Sequence, residues 1–149
     1  SVAGPIVATI FVRRMRSGLD IRRLPTNRKL PSGLIRLGQT VDFQAYQLQS
    51  RATARYPNAG SNPIYPTLGL CGESGEVADK VKKVIRDQGG DFSPEVVEGL
   101  KLELGDVLWY VSQLASELGL DLDQVAQANL DKLASRAARN VLSGSGDLR

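Results

Sequence analysis

The stretch Leu68-Gly69-Leu70-Cys71-Gly72-Glu73-Ser74-Gly75-Glu76-Val77 governs how the rest of the chain reads. Glu73 and Glu76 are three residues apart, so on a helix they share one face. Lys80 and Lys83 continue that face. The neighbouring stripe holds Leu70, Val77, Val81 and Val84, which places the acids beside an apolar seam rather than opposite it. A Glu-x-x-Glu pair alone is common on solvated helix faces. This pair is surrounded by Gly69, Gly72, Ser74 and Gly75. Glycine inside a helix costs roughly 1 kcal/mol relative to alanine, so these positions predict a close approach to the backbone.

Downstream, Leu102-Glu103-Leu104-Gly105-Asp106-Val107-Leu108-Trp109-Tyr110 repeats the device. Glu103 and Asp106 are again three apart, Gly105 lies between them, and Leu100, Val107, Tyr110 and Leu114 accompany them. If the two helices are antiparallel neighbours, four carboxylates converge. Burying even one unpaired charge costs several kcal/mol. A divalent cation would relieve the repulsion and replace the lost water ligands.

The rest of the chain narrows the chemistry. There is no histidine, which excludes Ser-His-Asp and Cys-His nucleophile systems and His-ligated zinc. Carboxylate oxygens favour hard cations such as Mg²⁺ or Mn²⁺. The single cysteine, Cys71, permits no internal disulfide, and reads as a small buried helix residue. No apolar run reaches the roughly 18 residues that would mark a membrane span.

Residues 41 onward follow a helical period. The expected helices are Val41 to Tyr56, Thr67 to Asp87, Pro94 to Leu118 with Ser93 as N-cap, and Leu122 to Val141 with Asp121 as N-cap. Short connections make this an all-α four-helix bundle. The expected organisation is a basic, mostly non-helical N-terminal arm over 1–40, a helical domain over 41–142 and a flexible tail over 143–149. The arm carries eight Lys or Arg against Asp20 alone, whereas 41–149 holds eleven basic and fifteen acidic residues beneath an overall charge of +3. The arm lacks an aromatic platform beyond Phe11, which disfavours nucleic acid as its partner. An oligomer-stabilising or bystander role is preferred.

The two quoted strings resemble those of the MazG-like nucleotide pyrophosphohydrolases, whose signature is Glu-x-x-Glu, a spacer, then Glu-x-x-Asp. The spacer here is the 26 residues from Val77 to Leu102. The resemblance runs from about Asp42 to the C-terminal Gly-Ser-Gly-Asp and is of the single-domain, phage type. It implies an all-α MazG-like fold assembled as a homodimer or dimer of dimers (a tetramer). It implies Mg²⁺ or Mn²⁺ held by Glu73, Glu76, Glu103 and Asp106. It implies attack of a metal-activated water on the α-phosphorus of a nucleoside triphosphate, giving monophosphate and pyrophosphate. A purine deoxynucleotide such as dGTP is the first expected substrate.

Asn129, Lys132 and Arg136 form one stripe of the last helix and, with Lys83, are the expected phosphate contacts; Lys80 is a further candidate, and one of these two lysines could instead pair with Asp79 or Asp87. Phe43, Tyr46, Gln47 and Tyr110 are the candidate nucleoside contacts, with a core stripe as the competing reading of the first three. The expected location is a bacterial or phage-infected host cytoplasm. Two alternatives stand beside this reading: a phosphoribosyl-ATP pyrophosphohydrolase, and a non-enzymatic helical interaction or nucleic-acid-binding module that uses the basic arm.

Overall fold

A computed structural model describes residues 41–139 of the chain. The arm over 1–40, the tail over 143–149 and the expected helix end at Val141 lie outside those residues. Four helices are present: α1 (Phe43–Arg51), α2 (Ile64–Asp87), α3 (Pro94–Glu117) and α4 (Leu122–Ala138). No strand occurs among the described residues.

Three helix starts are capped by side chains, those at Ser93 and Asp121 as expected. The Asp42 carboxylate accepts from the Ala45 amide at 2.6 Å. Ser93 accepts from the Val96 amide at 3.4 Å and is followed by Pro94. Asp121 accepts from the amides of Asp123 and Gln124. Each satisfies amides that a helix start leaves without a carbonyl partner. At the far end of α3, Gly119 adopts φ +70°, a conformation that glycine enters without a Cβ penalty.

The first helix starts at Phe43 rather than Val41 and the third ends one residue early, at Glu117; two boundaries differ by more. The first helix ends at Arg51, not Tyr56. Ala52, Thr53 and Ala54 donate three residues back, and the Thr53 hydroxyl takes the Ser50 carbonyl at 2.7 Å. This tight turn releases the chain so that Tyr56 can fold inward. The second helix starts at Ile64, before Thr67. Pro66 sits in its first turn, where a missing N–H removes no helical bond. Asn62 Oδ1 accepts from the Tyr65 amide at 3.2 Å.

Helix α3 is the centre of the fold. It packs antiparallel to α2 on one side and to α1 on the other, and α1 also supports α4. The α2–α3 order is visible in side chains: Gly69 faces Tyr110, and Lys80 faces Gly99.

The seam between α1 and α3 is polar. Gln47, Ser50 and Arg51 pack against Ser112, Gln113, Ser116 and Glu117, all buried. Ser50 and Ser112 share a hydroxyl contact at 2.9 Å. Arg51 and Glu117 form an ion pair at 2.8 Å, with side chains 1% and 0% exposed. Glu117 also accepts from the Tyr56 hydroxyl and from the amides of Gly60 and Asn62, which fixes the loop before α2. Buried charge is tolerable where its remaining lone pairs find donors.

Candidate active site

On α2, Gly69, Glu73, Glu76 and Lys80 recur at spacings of four, three and four, which is one helical face. On α3, Glu103, Asp106, Tyr110, Gln113 and Glu117 do the same. Where the stripes meet, Glu73, Glu103 and Asp106 each offer a carboxylate oxygen within 4.8 Å of the others. Glu73 and Glu103 are half-buried and Asp106 is exposed. Desolvation, followed by the charges of Glu76, Asp106 and Glu103, pushes the Glu73 carboxyl above its ordinary value. These acids therefore meet one another rather than enough donors to balance them.

Glu76 lies at the edge of this cluster. It lines a groove of about 430 Å³ together with Gly72, Gly75, Asp79, Lys80, Lys83 and Glu103. Lys80 crosses from α2 to place its ammonium 3.2 Å from Glu103 Oε1. Lys83, expected at phosphate, pairs within its own helix with Asp79 at 2.6 Å, and Lys82 joins the same carboxylate group. These hydrogen bonds hold the Asp79 carboxyl down at about 2.

The glycines divide into two kinds. At Gly69 an added Cβ would lie 2.0 Å from Tyr110 Cε1, so Gly69 is the seat for that ring. At Gly72, Gly75 and Gly105 an added Cβ meets nothing within 4 Å. The expected close approach at Gly69 is thus made by the protein itself, whereas Gly72 and Gly75 leave open wall in the groove.

Tyr110 belongs to a chain of aromatic contacts. It lies edge-on to Trp109 at 4.9 Å, Trp109 lies edge-on to Tyr56, and Tyr56 stacks on Tyr65 at 5.0 Å. Burial, then Tyr65, Glu73 and Asp106, raise the Tyr110 phenol. Burial and Asp106 raise that of Tyr46. Asp106 thus acts on both phenols, and Glu73 on that of Tyr110.

Other expected contacts are placed differently. Phe43 is exposed at the start of α1. Gln47 is buried and committed to the fold: its amide donates to Ser116 Oγ and the Leu120 carbonyl, and its Oε1 accepts from the Leu122 amide. It pins the α3–α4 turn. Asn129 and Lys132 are exposed on α4 and Arg136 is half-buried, and none of the three lines the groove. Cys71, expected to be buried, is exposed because it faces away from α3.

Sequence reading missed the Arg51–Glu117 pair and the role of Tyr65; it offered Asp79 as a lysine's partner, which Lys83 bears out, but not as part of the groove wall. Two of these carried a signal. Asp79 lies three residues after Glu76, and Glu117 lies on the stripe already defined by Glu103 and Asp106. Tyr65 carried none, since its partner comes from a loop.

The donor set suits a hard divalent cation: carboxylate oxygens only, mutually repelling and part-buried. Glu73, Glu103 and Asp106 would hold it, with Glu76 adjacent. Gene 37 protein of Mycobacterium phage L5 is 50% identical over 109 residues, spanning 70% of this chain and 96% of that protein. No solved structure gives a significant match. Residues 65–140, which carry both acid pairs and the helices that join them, match the MazG nucleotide pyrophosphohydrolase domain, and the chain belongs to that family.

Proposed function

We propose that this protein hydrolyses a (deoxy)nucleoside triphosphate at the α–β bond, releasing nucleoside monophosphate and pyrophosphate, with Mg²⁺ or Mn²⁺ as cofactor. The observation that carries this reading is the meeting of Glu73, Glu103 and Asp106 within 4.8 Å beside an open, glycine-walled groove. Bound there, the metal would acidify a water and neutralise charge on phosphoryl oxygens. The four acids Glu73, Glu76, Glu103 and Asp106 hold and orient that centre.

Tyr46 and Tyr110 flank it and are the proposed nucleoside walls, with Phe43 further out on α1. Gln47 acts by positioning α1 against α3. A purine deoxynucleotide is the proposed substrate class, with dGTP first in the panel.

Lys83, Asn129, Lys132 and Arg136 remain the proposed phosphate contacts. The last three lie on α4, which packs on α1. Leu68, Leu102 and Leu130 are each more than half exposed on α2, α3 and α4. Apolar surface of this kind suits burial between copies, and a homodimer or dimer of dimers is the proposed assembly. The boundaries 1–40, 41–142 and 143–149 belong to the same reading. No described helix is long and apolar enough to cross a membrane. The proposed setting is a bacterial or phage-infected host cytoplasm.

The test is chromatographic release of monophosphate and pyrophosphate from a dNTP panel with Mg²⁺ or Mn²⁺. Glu73→Gln should lower turnover by about a thousandfold, the scale of several kcal/mol of metal stabilisation, with the helical circular dichroism unchanged. Absence of turnover on every nucleotide rejects the reading, as does full activity in Glu73→Gln.

A further inference from the structure

Lys80 is the one lysine among Lys80, Lys82 and Lys83 that leaves its own helix. Lys82 and Lys83 both pair with Asp79 one turn back. Lys80 instead spans the α2–α3 interface to Glu103, at 3.2 Å, with side chains 42% and 15% exposed. Its Nζ lies 3.8 Å from where a Cβ on Gly99 would sit, so the ammonium passes over a bare patch of α3 one turn before Glu103. The same Glu103 is one of the three acids whose oxygens converge. It therefore has two claimants: a lysine supplied by the chain and a cation supplied by solvent.

The groove that Lys80 and Glu103 share measures about 430 Å³. It is open to solvent, so a phosphate chain and ions can both enter it. Part-exposed ion pairs are weak, and a lysine ammonium is a point charge on a flexible stem that can swing between partners. A triphosphate entering this groove brings more negative charge than a divalent ion alone balances.

Resting on the metal-dependent reading above, we infer that Lys80 is a displaceable counter-ion: it occupies Glu103 until a divalent ion takes that carboxylate, and the freed ammonium then contacts the phosphates of the substrate. The lysine thus opposes metal binding in the empty site and favours nucleotide binding in the loaded one. A purely structural bridge would not act with opposite signs on the two ligands.

The experiment measures Mn²⁺ binding by calorimetry without nucleotide. It then measures binding, at saturating Mg²⁺, of a dNTP carrying a methylene in place of the α–β bridging oxygen. Lys80→Gln should bind Mn²⁺ about fivefold more tightly, the scale of a lost part-exposed pair. It should bind the analogue about tenfold more weakly, the scale of a lost charge-assisted contact. Lys101→Gln removes the same charge from α3, where Lys101 pairs with Glu98, and should change either affinity by no more than about twofold. Unchanged or weaker Mn²⁺ binding in Lys80→Gln overturns the competition. Tighter Mn²⁺ binding with undiminished analogue binding overturns the phosphate contact. An equal effect from Lys101→Gln reduces both to general electrostatics and overturns the inference. If the wild-type protein binds no Mn²⁺, the metal reading itself fails, which is a separate result.

Discussion

Glu103 and Glu117 stand on the same stripe of one helix, yet they live in opposite electrostatic worlds. Around Glu117 the chain has assembled Arg51, the Tyr56 hydroxyl and the amides of Gly60 and Asn62. Around Glu103 it has placed Glu73, Asp106 and a single half-exposed lysine. A carboxylate whose lone pairs are filled from within the chain serves the fold. A carboxylate set among other carboxylates is destabilising until something from outside arrives, and that difference distinguishes scaffold from site.

The strongest way to probe this contrast is at Glu117. Replacing it by alanine leaves Arg51 buried without its counter-charge and should cost about 3–5 kcal/mol, read as a loss of urea stability. The double change Arg51→Met with Glu117→Leu should recover much of that loss, because paired apolar replacements avoid the stranded charge. The pair also has a pH signature. Burial alone would raise the Glu117 carboxyl above its ordinary 4.5, but hydrogen bonds from Tyr56, Gly60, Asn62 and Arg51 hold it below. A depressed folded value means stabilisation that is full above 4.5 and is lost as pH falls through the folded value. Glu117→Gln should therefore be less stable at neutral pH and show a flatter acid limb. An acid limb as steep as that of the parent would contradict the scaffold role.

A second contrast lies between glycines three residues apart. Gly69→Ala should destabilise by about 1–3 kcal/mol, the scale of overpacking, because its Cβ collides with Tyr110. Gly72→Ala has open space and should stabilise by up to about 1 kcal/mol through helix propensity. Denaturant titrations of both variants check the opposite signs. Equal responses would mean that Tyr110 yields freely and is not seated.

The smallest effect is expected in the site itself. Asp106→Asn, in chelator, should raise stability by about 0.5 kcal/mol, the scale of a like-charge pair one helical turn apart. Thermal melts with and without Mn²⁺ would show this gain together with a weakened response to the metal. A loss of stability in chelator would place Asp106 among the scaffold carboxylates instead.

The acid pairs, the helical architecture and the capped starts of α3 and α4 were legible in sequence because period, capping residues and charge spacing are local properties. The polar seam was not. Serine and glutamine at Gln47, Ser50, Ser112 and Ser116 carry no hydrophobic signal, so a stripe buried by hydrogen bonding reads as a solvated one. Gln47 consequently read equally as a nucleoside contact or as part of a core stripe, and its hydrogen bonds secure a turn. Gly69 and Gly72 are indistinguishable along the chain, since only the facing helix decides which is occupied. The choice between Lys80 and Lys83 likewise depends on what lies across the groove.

Gln47 joins three parts of the chain with one side chain: α1 itself, the end of α3 through Ser116 and Leu120, and the start of α4 through Leu122. Withdrawing α1 would strip all of these partners at once and leave buried polar groups with nothing to bind. The first and last helices are thereby tied to each other and to the far end of α3, the helix that also carries Glu103 and Asp106, so loosening α1 is felt at both of its neighbours together.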